Sequence, residues 1–397
     1  MNTTKRFLKS FLPIFVIAIL AITSCAPATT QAPSATAVQP LPTNTTGAPT
    51  AEATSSTAKP LPKPEEPVTI AFLYNSPAND NGYSQMWDLG RQAVQEKFGD
   101  RVNTVFVENV PASEEATRTI EQLIADGAKM IFDAATLLDY GEKAAAAHPD
   151  IGFLRTDAVF QPNEATNYYE LGRSNYLIGM AAGLMTKSNI IGYLGGFPSA
   201  FENGQANAIA LGAQSVNPDV KVNTVFIGSW YDPTAANQAA ISLLDSGADV
   251  LLTGGINTDI VMTAAEERGA YSFGSYHPMS EFAPKGYVTT FVVDTSNLLI
   301  QEVQNFLDGK WVGNMEYRIV TVGNGISLDK WGPNVPQTVK DQVNEAYNRM
   351  ATENWNPLTG PIYDTQGNLV VPDGQVVPDY DFFMGIEWVV KGVNMAK

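Results

Sequence analysis

The chain is short of the groups that most chemistry needs. Its 397 residues include one cysteine, Cys25, and two histidines, His148 and His277. A single cysteine excludes an internal disulfide, and no Cys/His cluster can hold a metal. The histidines are too far apart for a helical zinc motif, and there is no Gly-x-Ser-x-Gly nucleophile turn. "GLMTKS" (183–188) lacks the glycine spacing and Gly-Lys pair of a phosphate loop, and "GYLGGF" (192–197) is not a GxGxxG. "NDNG" (79–82) has calcium-type side chains but no glutamate closing a twelve-residue loop. No cofactor is expected. The 41 acidic side chains leave a carboxylate-based hydrolase open as a minor alternative, but a non-enzyme is the expected class.

Positive charge is the second shortage. There are 24 Lys and Arg against 41 Asp and Glu, a net charge of −17. That argues against nucleic acid as a partner, because phosphate binding needs cationic patches. Long apolar runs are the third. The longest, "FLPIFVIAILAI" (11–22), is 12 residues, too short for the ~20 that span a bilayer. It follows Lys5, Arg6 and Lys9 and precedes the small residues of "TSCA" (23–26), which makes residues 1–24 a secretory signal. "ITSC" (22–25) resembles a bacterial lipobox, so Cys25 is expected to carry a lipid anchor. Without residues 1–24 the 24 basic groups become 21 against 41 acidic, a net charge of −20. Anionic lipid would repel such a chain, which leaves the lipid as the membrane tie.

Residues 25–67 carry that lipidated cysteine and a Pro/Thr/Ala/Ser-rich tether with almost no large apolar groups. Such a segment cannot offset its ordering entropy and stays unfolded. About 330 residues remain beyond it, enough for two domains.

Those residues contain an internal repeat. Shifted by 120 positions, "VNTVFV" (102–107) falls on "VNTVFI" (222–227), Leu123 on Leu243, Gly127 on Gly247, Asp139 on Asp259 and Phe153 on Phe273. Thirteen identities occur over the 52 positions 102–153 without a gap. This register indicates two related lobes. Short continuous apolar runs predict strands near 68–74, 102–107, 129–133 and 151–155 in lobe 1. The runs near 189–194, 220–227, 249–253 and 270–274 predict those of lobe 2. Between them lie helix signals: Ser113 before Glu114 and Glu115, Asp232 before Pro233, and Gly127 and Gly247 at equivalent ends. Alternating strand and helix predicts an α/β fold of two doubly wound parallel-sheet lobes joined by a hinge. Lobe 1 is placed at 68–172 and lobe 2 at 189–283, with 284–397 returning through the hinge to complete both. The hinge is expected near 172–188 and 284–295.

Ligands of open parallel sheets sit at the carboxyl ends of the strands. That nominates 75–83 with 195–201, 108–113 with 228–232, 133–139 with 253–259, and 155–159 with 274–280. These segments and the helix after the first of them are rich in aromatics (Tyr83, Trp87, Phe197, Phe201, Trp230, Tyr231, Tyr276) and in Asn, Asp and Thr. Flat walls with a few polar fixers suit a planar heteroaromatic ligand. The chosen ligand residues are Asn75, Tyr83, Trp87, Asp133, Thr136, Phe197, Trp230 and Asn257. Each has a structural reading beside the functional one. Trp230 can pack where the chain enters a helix, Trp87 suits a core position, and Asp133 ends a strand. Asp232 and Asp294 suit helix caps, and His148 suits a surface helix end.

From about 68 to 395 the chain resembles the basic membrane lipoprotein (BMP) family. The resemblance rests on "NGYSQMWDLGRQA", "NYLIGMAAGLMTKSNIIGYLGGFP", "NAIALGAQSVNPDVKV", "GSWYDPTAANQAA", "MSEFAPKGYVTT" and "NPLTGPIYDTQGNLVVPDGQVV", found in family order. It implies the type I periplasmic-binding-protein fold and a substrate-binding role in an ABC importer, docking on permease and ATPase subunits. It also implies a purine nucleoside or base as ligand, on the extracytoplasmic face of the cell membrane. A monomer is expected. A receptor or sensor of the same fold is the alternative. There are departures from the family pattern. Tyr83 and Trp87 stand where a Trp and a His are usual, and Phe201 stands where an acid is common. "VDT" (293–295) replaces a Trp-Asn-Trp segment, and "GSYHPMSEF" (274–282) lacks the acid-rich ribose contacts.

Overall fold

A computed structural model describes residues 59–156, 161–313 and 317–395; Cys25, the signal and most of the tether lie outside the described residues. The described residues fall in one compact unit.

In lobe 1 the chain runs β1 (Val68–Leu73), α1 (Tyr83–Phe98), β2 (Val102–Val107), α2 (Glu114–Ala125), β3 (Ala128–Asp133), α3 (Asp139–Ala147), β4 (Gly152–Arg155) and β5 (Glu164–Tyr169). Helix α4 (Leu171–Met185) leads to lobe 2, with β6 (Ile190–Gly195), α5 (Ala200–Val216), β7 (Lys221–Phe226), α6 (Pro233–Asp245), β8 (Val250–Thr253), α7 (Thr258–Glu267), β9 (Tyr271–Tyr276) and β10 (Tyr287–Val293). The return comprises α8 (Ser296–Leu307), β11 (Tyr317–Val322), β12 (Gly325–Leu328) and α9 (Gln337–Glu353). A final stretch holds β13 (Ile362–Tyr363), β14 (Leu369–Val371), α10 (Asp379–Met384) and β15 (Val393–Asn394).

The strand order is β2-β1-β3-β4-β5-β11 in lobe 1 and β7-β6-β8-β9-β10-β12 in lobe 2, with β15 added outside β7. All the pairs within each lobe are parallel except β10 with β12. Residues 321–326 pair β11 with β12, so the described strands of both lobes form one continuous 13-stranded sheet. The repeat is therefore real in three dimensions: β2, α2, β3, α3 and β4 recur as β7, α6, β8, α7 and β9 in the same sheet positions. The predicted caps form. Ser113 accepts from the Glu115 N–H at 3.3 Å and Asp232 from the Ala235 N–H at 2.9 Å. Gly127 and Gly247 close α2 and α6 at φ 99° and 98°, a left-handed turn that favours glycine. Asp294 accepts from the Ser296 N–H at 2.9 Å one residue ahead of Thr295, the N-cap of α8, whose own side chain makes no capping bond.

The sequence missed β5, whose "EATNYY" has no apolar run although every residue is buried, and the crossing at β11–β12. The stretch expected as a hinge, 172–188, is mostly helix α4, buried against α5. A Cβ on Gly212 would lie 2.0 Å from the Tyr176 carbonyl oxygen, so the two helix backbones pack in direct contact. The other stretch expected as a hinge, 284–295, holds β10, and the chain passes between the lobes at β5 to α4, β10 to α8 and β11 to β12. Leading into lobe 1, the Leu61 N–H donates to the Trp311 carbonyl at 2.9 Å and Arg101 forks onto Glu66 with two 2.8 Å bonds.

Candidate functional site

In each lobe the chain leaves its first strand for one side of the sheet and its third for the other. The loops after β1 and β3 therefore flank a crevice in lobe 1, and those after β6 and β8 flank one in lobe 2. The structure brings the two crevices into contact. The Asn81 side-chain N–H donates to Asp259 across the lobes at 3.0 Å. A Cβ on Gly82 would lie 2.4 Å from the Gly255 carbonyl oxygen. Tyr83 meets Tyr276 of lobe 2 edge to face, with centroids 5.7 Å apart, and meets Tyr169 at 6.5 Å. The loops of the two lobes thus meet directly.

Asp80 organises the lobe 1 side. Its buried carboxylate accepts from the backbone N–H groups of Gly82 (2.8 Å), Ser84 (3.2 Å) and Gln85 (3.1 Å), and from the Ser76 hydroxyl (2.5 Å). These bonds fix the start of α1 and with it Tyr83. Burial raises the Asp80 carboxyl above its ordinary range, against the pull of those donors. Asn75 lies beside this knot, its Oδ1 accepting from the Ser76 and Ser84 hydroxyls at 3.3 and 3.4 Å. Burial pushes the Tyr83 hydroxyl up to about 12.

On the lobe 2 side Asn257 is 1% exposed, and neither polar atom of its amide has a partner. Tyr276 holds a left-handed backbone, φ 67°, which a bulky residue adopts only when its surroundings force it. Glu202 is fully buried. Its Oε1 accepts from the Gly196 N–H at 2.9 Å and its Oε2 from the Tyr193 hydroxyl. Desolvation dominates these donors and raises its carboxyl to about 7.

The nominated residues separate into three groups. Asn75, Tyr83 and Asn257 stand at the lobe junction. Phe197 and Trp230 form a pair on lobe 2 with centroids 5.2 Å apart, 38% and 37% exposed, and Trp230 lies over Gly196. The rest lie among lobe 1 packing and hydrogen bonds. Trp87 is wholly buried in the core, although its indole N–H makes no hydrogen bond. Asp133 accepts from the N–H groups of Ala135 and Leu137 at 3.0 and 3.3 Å and faces Arg155 at 3.6 Å, a buried ion pair that also takes in Glu164. Thr136 is exposed, with φ 57°, and its hydroxyl meets that of Thr156 at 3.1 Å. The 155–159 segment is described only to Thr156.

The sequence reading passed over Glu202, Tyr193 and Tyr169. Glu202 follows Phe201, and helical phase turns it inward on α5. Tyr169 lies in the strand that carries no apolar run. Among the described residues no three His, Cys, Asp or Glu side chains group as a metal site, and no helix is long and apolar enough to cross a membrane.

Two α/β lobes closed on a buried, aromatic, partly unsatisfied seam define a solute-binding protein of the periplasmic type. The match to solved structures agrees in fold. A solute-binding protein of an ABC transporter system from Aeropyrum pernix aligns with a TM-score of 0.62 at 17% identity, covering 72% of this chain and 92% of that one. Residues 67–354 match the family described as ABC transporter substrate-binding protein PnrA-like, and the chain belongs to that family. A purine-binding protein of Brucella abortus is 32% identical over 83% of this chain and 94% of its own length. A relative from Haloferax volcanii, provisionally named a glucose-binding protein of an ABC transporter, is 30% identical over 77% of this chain and 78% of its own.

Proposed function

We propose that this chain is the extracytoplasmic binding component of an ABC importer, held to the membrane by a lipid on Cys25. It captures a purine base or nucleoside between its lobes and releases it unchanged to a permease. One observation carries the ligand class. Tyr83 and Tyr276 approach from opposite lobes at a seam where the Asn257 amide is buried without partners. Aromatic faces with a few polar fixers suit a flat, nitrogen-rich ring. The relative named for purine binding supports the same reading. Closure follows from differential contact: a ligand touching both lobes stabilises the closed state over the open one.

The test is thermal unfolding of the chain from residue 55 onward, one compact unit, against purine bases, nucleosides, sugars and amino acids. A ligand at ~100 times its dissociation constant adds ~2.7 kcal/mol of stability. A shift with purines alone is expected, and their recovery unchanged afterwards distinguishes binding from hydrolysis. A shift with glucose alone would favour the second reading, which the Haloferax relative motivates. For the anchor, Cys25→Ala should move the protein out of the membrane fraction.

A further inference from the structure

We propose that the outer edge of lobe 1 fits the C-terminal strand of a second copy of this chain, and that the Gln95 side chain keeps that edge shut. The inference does not depend on the identity of the ligand.

Among the described strands β2 ends the sheet on the lobe 1 side, whereas its counterpart β7 is covered by β15. The two strands are nearly one sequence, "VNTVFV" (102–107) and "VNTVFI" (222–227). What covers one edge therefore indicates what fits the other. On β7 the pairing is parallel, with Val393 opposite Val222 and Asn394 opposite Asn223. The Val222 N–H donates to the Gly392 carbonyl at 2.9 Å, and the Thr224 hydroxyl donates to the Asn394 carbonyl at 3.0 Å. The Asn394 side-chain N–H donates to Asn223 at 2.8 Å. β2 carries Val102, Asn103 and Thr104 at the same places.

On β2 one side chain takes the part of the added strand. Gln95, near the end of α1, lays its amide along the edge. Its Oε1 accepts from the Thr104 N–H at 2.9 Å and from the Thr104 hydroxyl at 3.0 Å, as a strand carbonyl would. Its Nε2 donates to the Val102 carbonyl at 3.2 Å, as a strand N–H would. A side-chain amide has the donor and acceptor that a strand residue offers, so Gln95 stands where Asn394 stands in lobe 2. Arg91 backs it, donating to the Thr104 hydroxyl at 3.2 Å and lying 4.8 Å over the Phe106 ring. In lobe 2 the helix amide does the opposite. Gln214 donates to the Lys391 carbonyl at 2.9 Å and so secures the arriving strand.

An uncovered strand edge is a template for another chain. Beyond Gln95 this one is open, for Asn103 and Phe106 are exposed. β15 is only two residues long, so leaving its own lobe breaks few bonds. A second copy can then offer Val393 and Asn394 to β2 once the Gln95 amide is out of the way.

Disulfide trapping under mild oxidation reads this pairing. The chain from residue 55 onward has no cysteine of its own. One copy carries Asn103→Cys and the other Asn394→Cys, the positions that would face each other as Asn223 and Asn394 do. Gln95→Ala in the first copy should speed cross-linking about tenfold, the worth of one or two hydrogen bonds no longer in competition. Alanine is the best helix former, so the variant keeps α1. Should it fail to fold, Gln95→Glu keeps the acceptor for Thr104, loses the donor to Val102, and should speed cross-linking as well. Sedimentation of the cysteine-free Gln95→Ala chain should show a concentration-dependent dimer. Asn394→Pro should abolish it, because proline has no N–H for the edge. Cross-linking no faster than in the Gln95 parent overturns the inference. So does an equal rise with the second cysteine moved to Thr352 on α9, or a dimer that survives Asn394→Pro.

Discussion

Glu202 shows how one residue ties the seam to pH. In the unfolded chain it ionises near 4.5, and in the fold burial holds its proton up to about 7. Below pH 4.5 both states are protonated and there is no penalty. Between about 4.5 and 7 the unfolded chain has released the proton while the fold keeps it, so stability falls as pH rises. A shift of this size corresponds to roughly 3 kcal/mol. Glu202→Gln, which can still donate and accept, should flatten that part of the profile. Melting both proteins from pH 4.5 to 8 checks it, and identical slopes would remove Glu202 from the account. Trp230 is the other residue to test. It is more than a third exposed, so Trp230→Ala should unfold at nearly the same temperature. Its affinity for the ligand should nevertheless drop about tenfold or more, as loss of an aromatic wall implies. Unchanged affinity would make Trp230 a packing residue of the Gly196 turn.

At the scale of elements, the legible parts were those with local causes. The 120-residue repeat, the apolar runs and the caps at Ser113 and Asp232 are all written in short windows, and they placed eight strands. β5 was illegible because its buried strand "EATNYY" carries no apolar run, and β10, β11 and β12 because they follow the repeat and return the chain between the lobes. The site was half legible for the same reason. Strand-end position nominates Tyr83 and Asn257, which the fold brings to the junction of the lobes. It could not tell that Asp133 is occupied by Arg155, or that Trp87 turns into the core. The seam itself depends on one tight approach. An added Cβ at Gly82 would lie 2.4 Å from the Gly255 carbonyl oxygen. Gly82→Ala must push the β1 and β8 loops apart. Ligand affinity should fall about tenfold or more, the order expected when a small displacement spoils a pocket, with little loss of thermal stability in the free protein. A full loss of folding in the free protein would show that the contact is structural instead.

Over the whole molecule, the crossings are braced by a buried charge cluster. Arg173, on the helix between lobes, donates to Asn354 at 3.1 Å and Asp379 at 2.9 Å and lies 3.6 Å from Glu170. Glu170 in turn accepts from the Val322 N–H at 2.8 Å, on the strand that passes back. Burial raises both carboxyls, and Arg173 works against that rise. Arg173→Ala leaves two buried acids without their cation and should cost about 3–5 kcal/mol in urea unfolding. A loss under about 1 kcal/mol would mean that the acids protonate at little penalty.

The leader and the last strand divide the molecule mechanically. Residues 61 and 66 are fastened to lobe 1, whereas Val393 and Asn394 extend the sheet of lobe 2. Whatever holds the leader thus grips one jaw and leaves the other to swing. A pull applied between residue 59 and residue 395 would load the hinge directly, and a bound solute would register as a higher force needed to part the jaws. The same two points, labelled with a pair of dyes, would turn capture into a change of distance that can be watched on a single molecule.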